Sequence, residues 1–230
     1  MSTKAPGMLA AAWLVARKDL AIEFRTKSAF LSAMVFALIS LVIFFFAWDP
    51  TAVGPLELAP GVLWVTFTFS GLLGMHRSFA VESQESAMDA LLVSPVPRES
   101  IFLGKALANL CFVLGVQAVA LPAVALFYNL PLGAAFIPLA GVMVLASIGL
   151  VAIGTLFAGM TANTRMAELL LPVLALPFFV PIVIPAAQAT AGLIAGRSLA
   201  DAWQWLRLLV AFDLVFAYAC TFAFPFTLDD

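Results

Sequence analysis

Charge is the scarcest feature of this sequence. Charged side chains make up 10% of its 230 residues, hydrophobic ones make up 64%, and there is a single histidine. Soluble domains carry roughly 25% charged residues, so a water-soluble globule is excluded, because too little polar surface would remain to cover it. The net charge is only −2 and no basic cluster stands out, which removes nucleic acid from the candidate partners. The two cysteines, Cys111 and Cys220, both lie in apolar runs and read as small packing residues with free thiols. One histidine and few polar groups within those runs cannot assemble a Ser/His/acid, Cys/His or paired-carboxylate site. No catalytic, metal-binding or cofactor-binding residue is therefore assigned. His76 stands beside Arg77 with no second histidine or cysteine nearby, and reads as a surface histidine.

What the chain has is length without charge, at a mean hydropathy of +1.10. A spanning helix needs about 20 apolar residues, and Ala29 to Trp48 supplies the first. A second runs from Pro60 to about residue 80. Ala106 to Thr164 is free of formal charge and too long for one span, and Tyr128-Asn129-Leu130-Pro131-Leu132-Gly133 divides it with turn chemistry. The expected fold is all-α: a polytopic membrane protein with spans near 29–48, 60–80, 105–128, 134–160, 168–191 and 205–226. A segment 1–28 precedes them, a loop 81–104 joins the second and third, and a tail 227–230 follows. A signal peptide is not expected, since the first apolar run exceeds an h-region of ~7–15 residues.

Orientation follows from lysine and arginine. With the N-terminus inside, Lys4, Arg17, Lys18, Arg25, Lys27, Arg77, Arg98, Lys105 and Arg165 are cytoplasmic, and only Arg197 and Arg207 lie outside. That bias places both termini in the cytoplasm.

Four segments carry candidate function. Residues 6–27 read as an amphipathic helix lying on the membrane, with Leu9, Trp13, Ala16, Leu20 and Phe24 on one stripe and Glu23 at its edge. In the loop, Ser86 and Asp89 match a capping box ahead of Ala90-Leu91-Leu92, and Ser94-Pro95-Val96-Pro97 ends that short helix. Pro97 and Arg98-Glu99 then suit the start of the next helix. The fifth span contains Pro172, Pro177, Pro181 and Pro185, which suit either a movable kinked helix or a static bend; Asn163 or Thr164 can cap it. Asp213 is the one ionisable residue forced into the bilayer, at a cost of ~2.5–3.5 kcal/mol. It is open to substrate contact, proton relay or helix–helix glue, with glue favoured. Trp203 and Trp205 read as an interfacial belt, and Gly192 with Gly196 as either a helix-pairing motif or a turn.

Pro60-Gly61-Val62-Leu63-Trp64, then Arg77-Ser78-Phe79 with Glu82, then Leu91 to Arg98, and Ile101-Phe102-Leu103-Gly104-Lys105 with Asn109 together resemble the haem exporter protein B family, CcmB. The resemblance covers almost the whole chain. It implies an ABC-2-type permease subunit of the bacterial inner membrane, used in cytochrome c maturation, as a homodimer or hetero-oligomer. Its implied partners are a separate CcmA-like ATPase, CcmC-like and CcmD-like membrane subunits and a CcmE-like haem chaperone. This chain is then non-catalytic: ATP is bound by the ATPase subunit, and Gly104-Lys105-Ala106 here is not a P-loop. Haem is the transported or handled ligand that the resemblance implies. The short loop helix would seat in the ATPase, with Leu91 and Leu92 as apolar anchors, Glu82, Glu85 and Asp89 on the rim, and Ser94, Pro95, Pro97 and Arg98 forming the corner. A permease exporting a drug, lipid or polysaccharide and a non-transporting membrane scaffold are the rival readings.

Overall fold

Each long apolar run closes into a helix because hydrocarbon offers no water to satisfy backbone N–H and C=O groups. The computed structural model describes residues 7–84, 96–162, 164 and 166–228. Among these are seven α-helices and a short 3-10 turn, and no strand. They are α1 (Met8–Thr26), α2 (Ser28–Ala47), α3 (Pro55–Gln84), α4 (Arg98–Phe127), α5 (Phe136–Thr161), α6 (Ala167–Ile194), α7 (Trp203–Ala223) and η1 (Phe224–Leu228). Six, α2 to α7, are long and apolar enough to cross a membrane.

Several boundaries depart from the sequence expectation for identifiable reasons. Pro60 does not open the second span but lies inside α3, which begins at Pro55. Proline at the first helical position sacrifices only an N–H that has no intrahelical acceptor. Helix α4 already starts at Arg98, with Pro97 as its N-cap residue, so part of the expected 81–104 loop is helical. The same holds at the other end, where α3 continues to Gln84. Thr164 does not cap α6. Its hydroxyl donates back to the Thr161 carbonyl at 2.8 Å, while Met166 holds the N-cap position; Asn163 lies outside the described residues. Helix α7 ends at Ala223, and the chain tightens into η1 through Phe224, which keeps right-handed helical angles (φ −56°, ψ −42°).

The turns use left-handed residues. Asn129 has φ 47°, and beyond it the Leu130 N–H reaches back to the Ala125 carbonyl at 3.0 Å. At the end of α6, Gly196 has φ 80° and the Arg197 N–H bonds to the Gly192 carbonyl at 2.9 Å. The Gly192–Gly196 pair is thus a helix stop, with glycine at the position where a Cβ is most strained.

Helices α3 and α5 sit at the centre. Helix α3 packs against α2, α4, α5 and α6, and α5 packs against α4, α6 and α7. Trp64, Phe67, Phe79, Phe102 and Phe179 are sealed in this core. The outer faces of α2, α6 and α7 present Leu31, Ile39, Val173, Val180, Leu214 and Tyr218, exposed in the chain and suited to acyl chains. Helix α6 remains a single helix through all four of its prolines.

Candidate functional site

The expected coupling segment lies between α3 and α4, so what holds the helix ends on either side of it matters most. Glu85, Asp89, Leu91, Leu92, Ser94 and Pro95 lie outside the described residues, and Glu82 is described only as backbone in α3. The segments on either side of it are described. They are the last turns of α3 and the first turns of α4.

Lys105 joins them. It sits two turns into α4 and is 0% exposed. Its ammonium donates to the Ser78 carbonyl of α3 at 3.2 Å and lies 4.3 Å from the centroid of the Phe79 ring. It also pairs with Asp19 of α1 at 3.3 Å, and Asp19 is shared with Lys18 at 3.2 Å. A buried lysine is tolerated only when its charge and donors are matched, and two other helices, α1 and α3, supply the matching. Sequence reasoning counted Lys105 as one of the cytoplasmic charges. The available signal was its place behind Gly104, one residue before a long charge-free run.

Gly104 explains how α1 comes so near. A Cβ there would stand 2.6 Å from both the Ala12 carbonyl oxygen and Val15 Cβ. The face of α1 buried against α4 is accordingly Ala11, Ala12, Val15 and Ala16. This corrects the expected stripe, since Ala16 belongs to the protein-facing side while Leu9, Trp13 and Phe24 are exposed. Glu23, which looked out of place on that stripe, accepts the Phe30 N–H at 2.8 Å. It thereby ties α1 to α2 across Lys27, a left-handed residue with φ 55°.

The C-terminal turn closes the other side. Phe224 is fully buried, 5.3 Å from the Phe102 ring and 6.3 Å from the Phe79 ring, and it packs over Gly159. Arg98, at the first position of α4, donates to the Pro225 carbonyl at 3.3 Å. The two helices that bound the loop are therefore clamped by the N-terminal helix and by the C-terminal turn. Of the expected anchor, rim and corner residues of the coupling segment, only Pro97 and Arg98 have described side chains.

Within the spans, the interhelical hydrogen bonds come from residues the sequence reading did not assign. Trp64 Nε1 donates to Thr190 Oγ1 at 3.0 Å between α3 and α6. Asn109 Nδ2 donates to Thr155 Oγ1 at 3.0 Å, and Gln117 pairs with Ser147 at 3.0 Å, both between α4 and α5. Each is an isolated polar residue in an apolar run, a detectable signal for glue in membranes. Asp213 makes no such bond. It is 5% exposed, both its oxygens lack a hydrogen-bond partner among the described residues, and Oδ1 lies against Gly149. The prolines of α6 differ in burial: Pro185 is buried, Pro172 and Pro181 are half-buried and Pro177 is exposed. Cys111 is exposed, Cys220 is buried, and both are free.

Six apolar spans, an N-terminal helix packed on α4 and a polar brace define a polytopic α-helical membrane protein. Residues 10–229 match the family described as CcmB protein, and the chain belongs to that family. It is similar to the "Heme exporter protein B" of Paracoccus denitrificans, with 33% identity across 90% of this chain and 93% of the relative. The proteins of the same name from Rhodobacter capsulatus and Pseudomonas aeruginosa are 30% and 29% identical. Those matches cover 74% and 87% of this chain, and 78% and 90% of the relatives.

Proposed function

We propose that this chain is the non-catalytic permease subunit of a haem-exporting ABC transporter serving cytochrome c assembly. It spans the bacterial inner membrane with both termini in the cytoplasm. A separate CcmA-like ATPase grips the loop between α3 and α4. CcmC-like and CcmD-like subunits and a CcmE-like chaperone complete the haem-handling assembly, in which this chain pairs with itself or with those subunits. ATP-driven motion of the loop then serves haem export or release of the haem-loaded chaperone.

The observation that carries this reading is the brace at Lys105. A motor acting on a loop moves a transmembrane domain only if the loop ends are fixed to it. Here the last turns of α3 and the first turns of α4 are joined through one buried ammonium, and both are backed by Phe224. A pull on the loop moves α3 and α4 as a pair, together with α1.

The test is at the loop itself. Interface energy concentrates in a few central apolar anchors while rim charges contribute little. Leu91→Asp should abolish co-purification of the ATPase and formation of mature cytochrome c in cells, while Glu85→Ala should leave both near normal. Retention of ATPase binding and maturation by Leu91→Asp would remove the coupling role and favour a scaffold.

A further inference from the structure

A groove runs between α2 and α6 with α3 as its floor, and encloses about 650 Å³. Its apolar part is formed by Phe36 of α2 and Phe69 and Leu73 of α3, with the two rings 6.5 Å apart. All three are exposed along it, so the groove opens onto the outer surface of the chain. Its other end holds Ser32, His76 and Arg77, and it reaches Pro172, the first proline of α6. Arg77 is exposed and has no hydrogen bond or ion pair among the described residues. A cation at one end of an apolar groove has the polarity of a membrane amphiphile.

We propose that this groove seats one anionic phospholipid of the leaflet at the basic end of the protein, its phosphate against Arg77 and an acyl chain along Phe36, Phe69 and Leu73. Charge complementarity selects the occupant. An acyl chain gains little by leaving other acyl chains for an apolar wall, so preference must come from the head group. An unpaired arginine offers a planar fork matched to phosphate. The dimensions agree as well: Phe69 lies eight residues before Arg77 on α3, or ~12 Å of helix, comparable with one leaflet's ~15 Å of hydrocarbon. A zwitterionic lipid also carries phosphate, but its own ammonium competes with Arg77. A net negative head group is therefore favoured. The seated lipid would lie between α2 and the start of α6, and would support the proline-rich helix where it meets the membrane surface. This assignment is independent of the ATPase reading.

The experiment uses the full chain in nanodiscs containing a mixture of phosphatidylglycerol and phosphatidylcholine with identical chains, followed by native mass spectrometry of the released protein. The parent should retain phosphatidylglycerol over phosphatidylcholine. Arg77→Gln should lower that retention about fivefold, the factor for the ~1 kcal/mol that one basic residue contributes at an anionic surface. Ser32→Trp fills the groove from an exposed position and leaves Arg77 in place. It should abolish retention while the protein remains folded by circular dichroism. Equal retention of the two lipids, or unchanged retention in either variant, overturns the proposal. So does a change of oligomeric mass in Ser32→Trp without a change in lipid, which would make this face a contact between copies. Haemin that binds in an Arg77-dependent manner and is not displaced by phosphatidylglycerol would also overturn it, and would give the groove to the cargo.

Discussion

Lys105 and Asp213 are both ionisable, both buried and both in spans, yet their surroundings are opposite. Lys105 has a carboxylate, a carbonyl and an aromatic face around it. Removing one partner of a buried pair typically costs about 3 kcal/mol or more. Lys105→Met should lower the thermal unfolding temperature of the purified protein, and adding Asp19→Leu should cost less than the sum of the two single changes, because they share one interaction. Strict additivity would mean that the brace contributes nothing as a unit. Asp213 gains no hydrogen bond from the described fold, so Asp213→Asn, of nearly the same shape, should insert and unfold at least as well as the parent. Loss of haem delivery in cells from an Asp213→Asn protein that still assembles would show that the carboxyl works as an acid rather than as packing.

At the scale of elements, the ends of helices decide what the helices can do. The stop of α6 rests on Gly196 at φ 80°, beyond four prolines that each deprive the helix of a backbone donor. An L-residue in the left-handed region costs roughly 1–2 kcal/mol. Gly196→Ala should thus destabilise the α6–α7 connection by about 1 kcal/mol, read as a lower unfolding temperature, whereas Gly133→Ala should be close to neutral because a Cβ there meets nothing. Equal effects at the two positions would mean that this helix stop is not under strain. Helix α1 is the second such case. Its small-residue face meets Gly104, and its large apolar residues Leu9, Trp13 and Phe24 are left exposed.

For the whole molecule, the polar brace and most of the basic residues are expected at one end, and the outer turns at Gly54 and Pro131, with Arg197 and Arg207, at the other. In a background lacking Cys111 and Cys220, single cysteines at positions 54 and 131 should label from outside the cell. Cysteines at 86 and 163 should label only after the membrane is opened. External labelling at 86 would invert the map and place the loop out of reach of any cytoplasmic ATPase. Six spans, the division at Tyr128–Gly133 and the charge asymmetry are all legible in the sequence, because each depends on residues near one another in the chain. Transfer to hydrocarbon is close to a sum over one helix, and a turn is set by a few adjacent dihedrals. The burial of Lys105 with Asp19, the pairing of Gln117 with Ser147, the choice of which side of α1 meets protein, and the groove floored by α3 depend on residues far apart in sequence meeting across helices. In lipid every face of an apolar helix is equally comfortable, so hydropathy cannot select the partner. Close packing at Gly104 and Gly149 and the need of buried polar groups for one another make that selection, and only the tertiary structure shows its result.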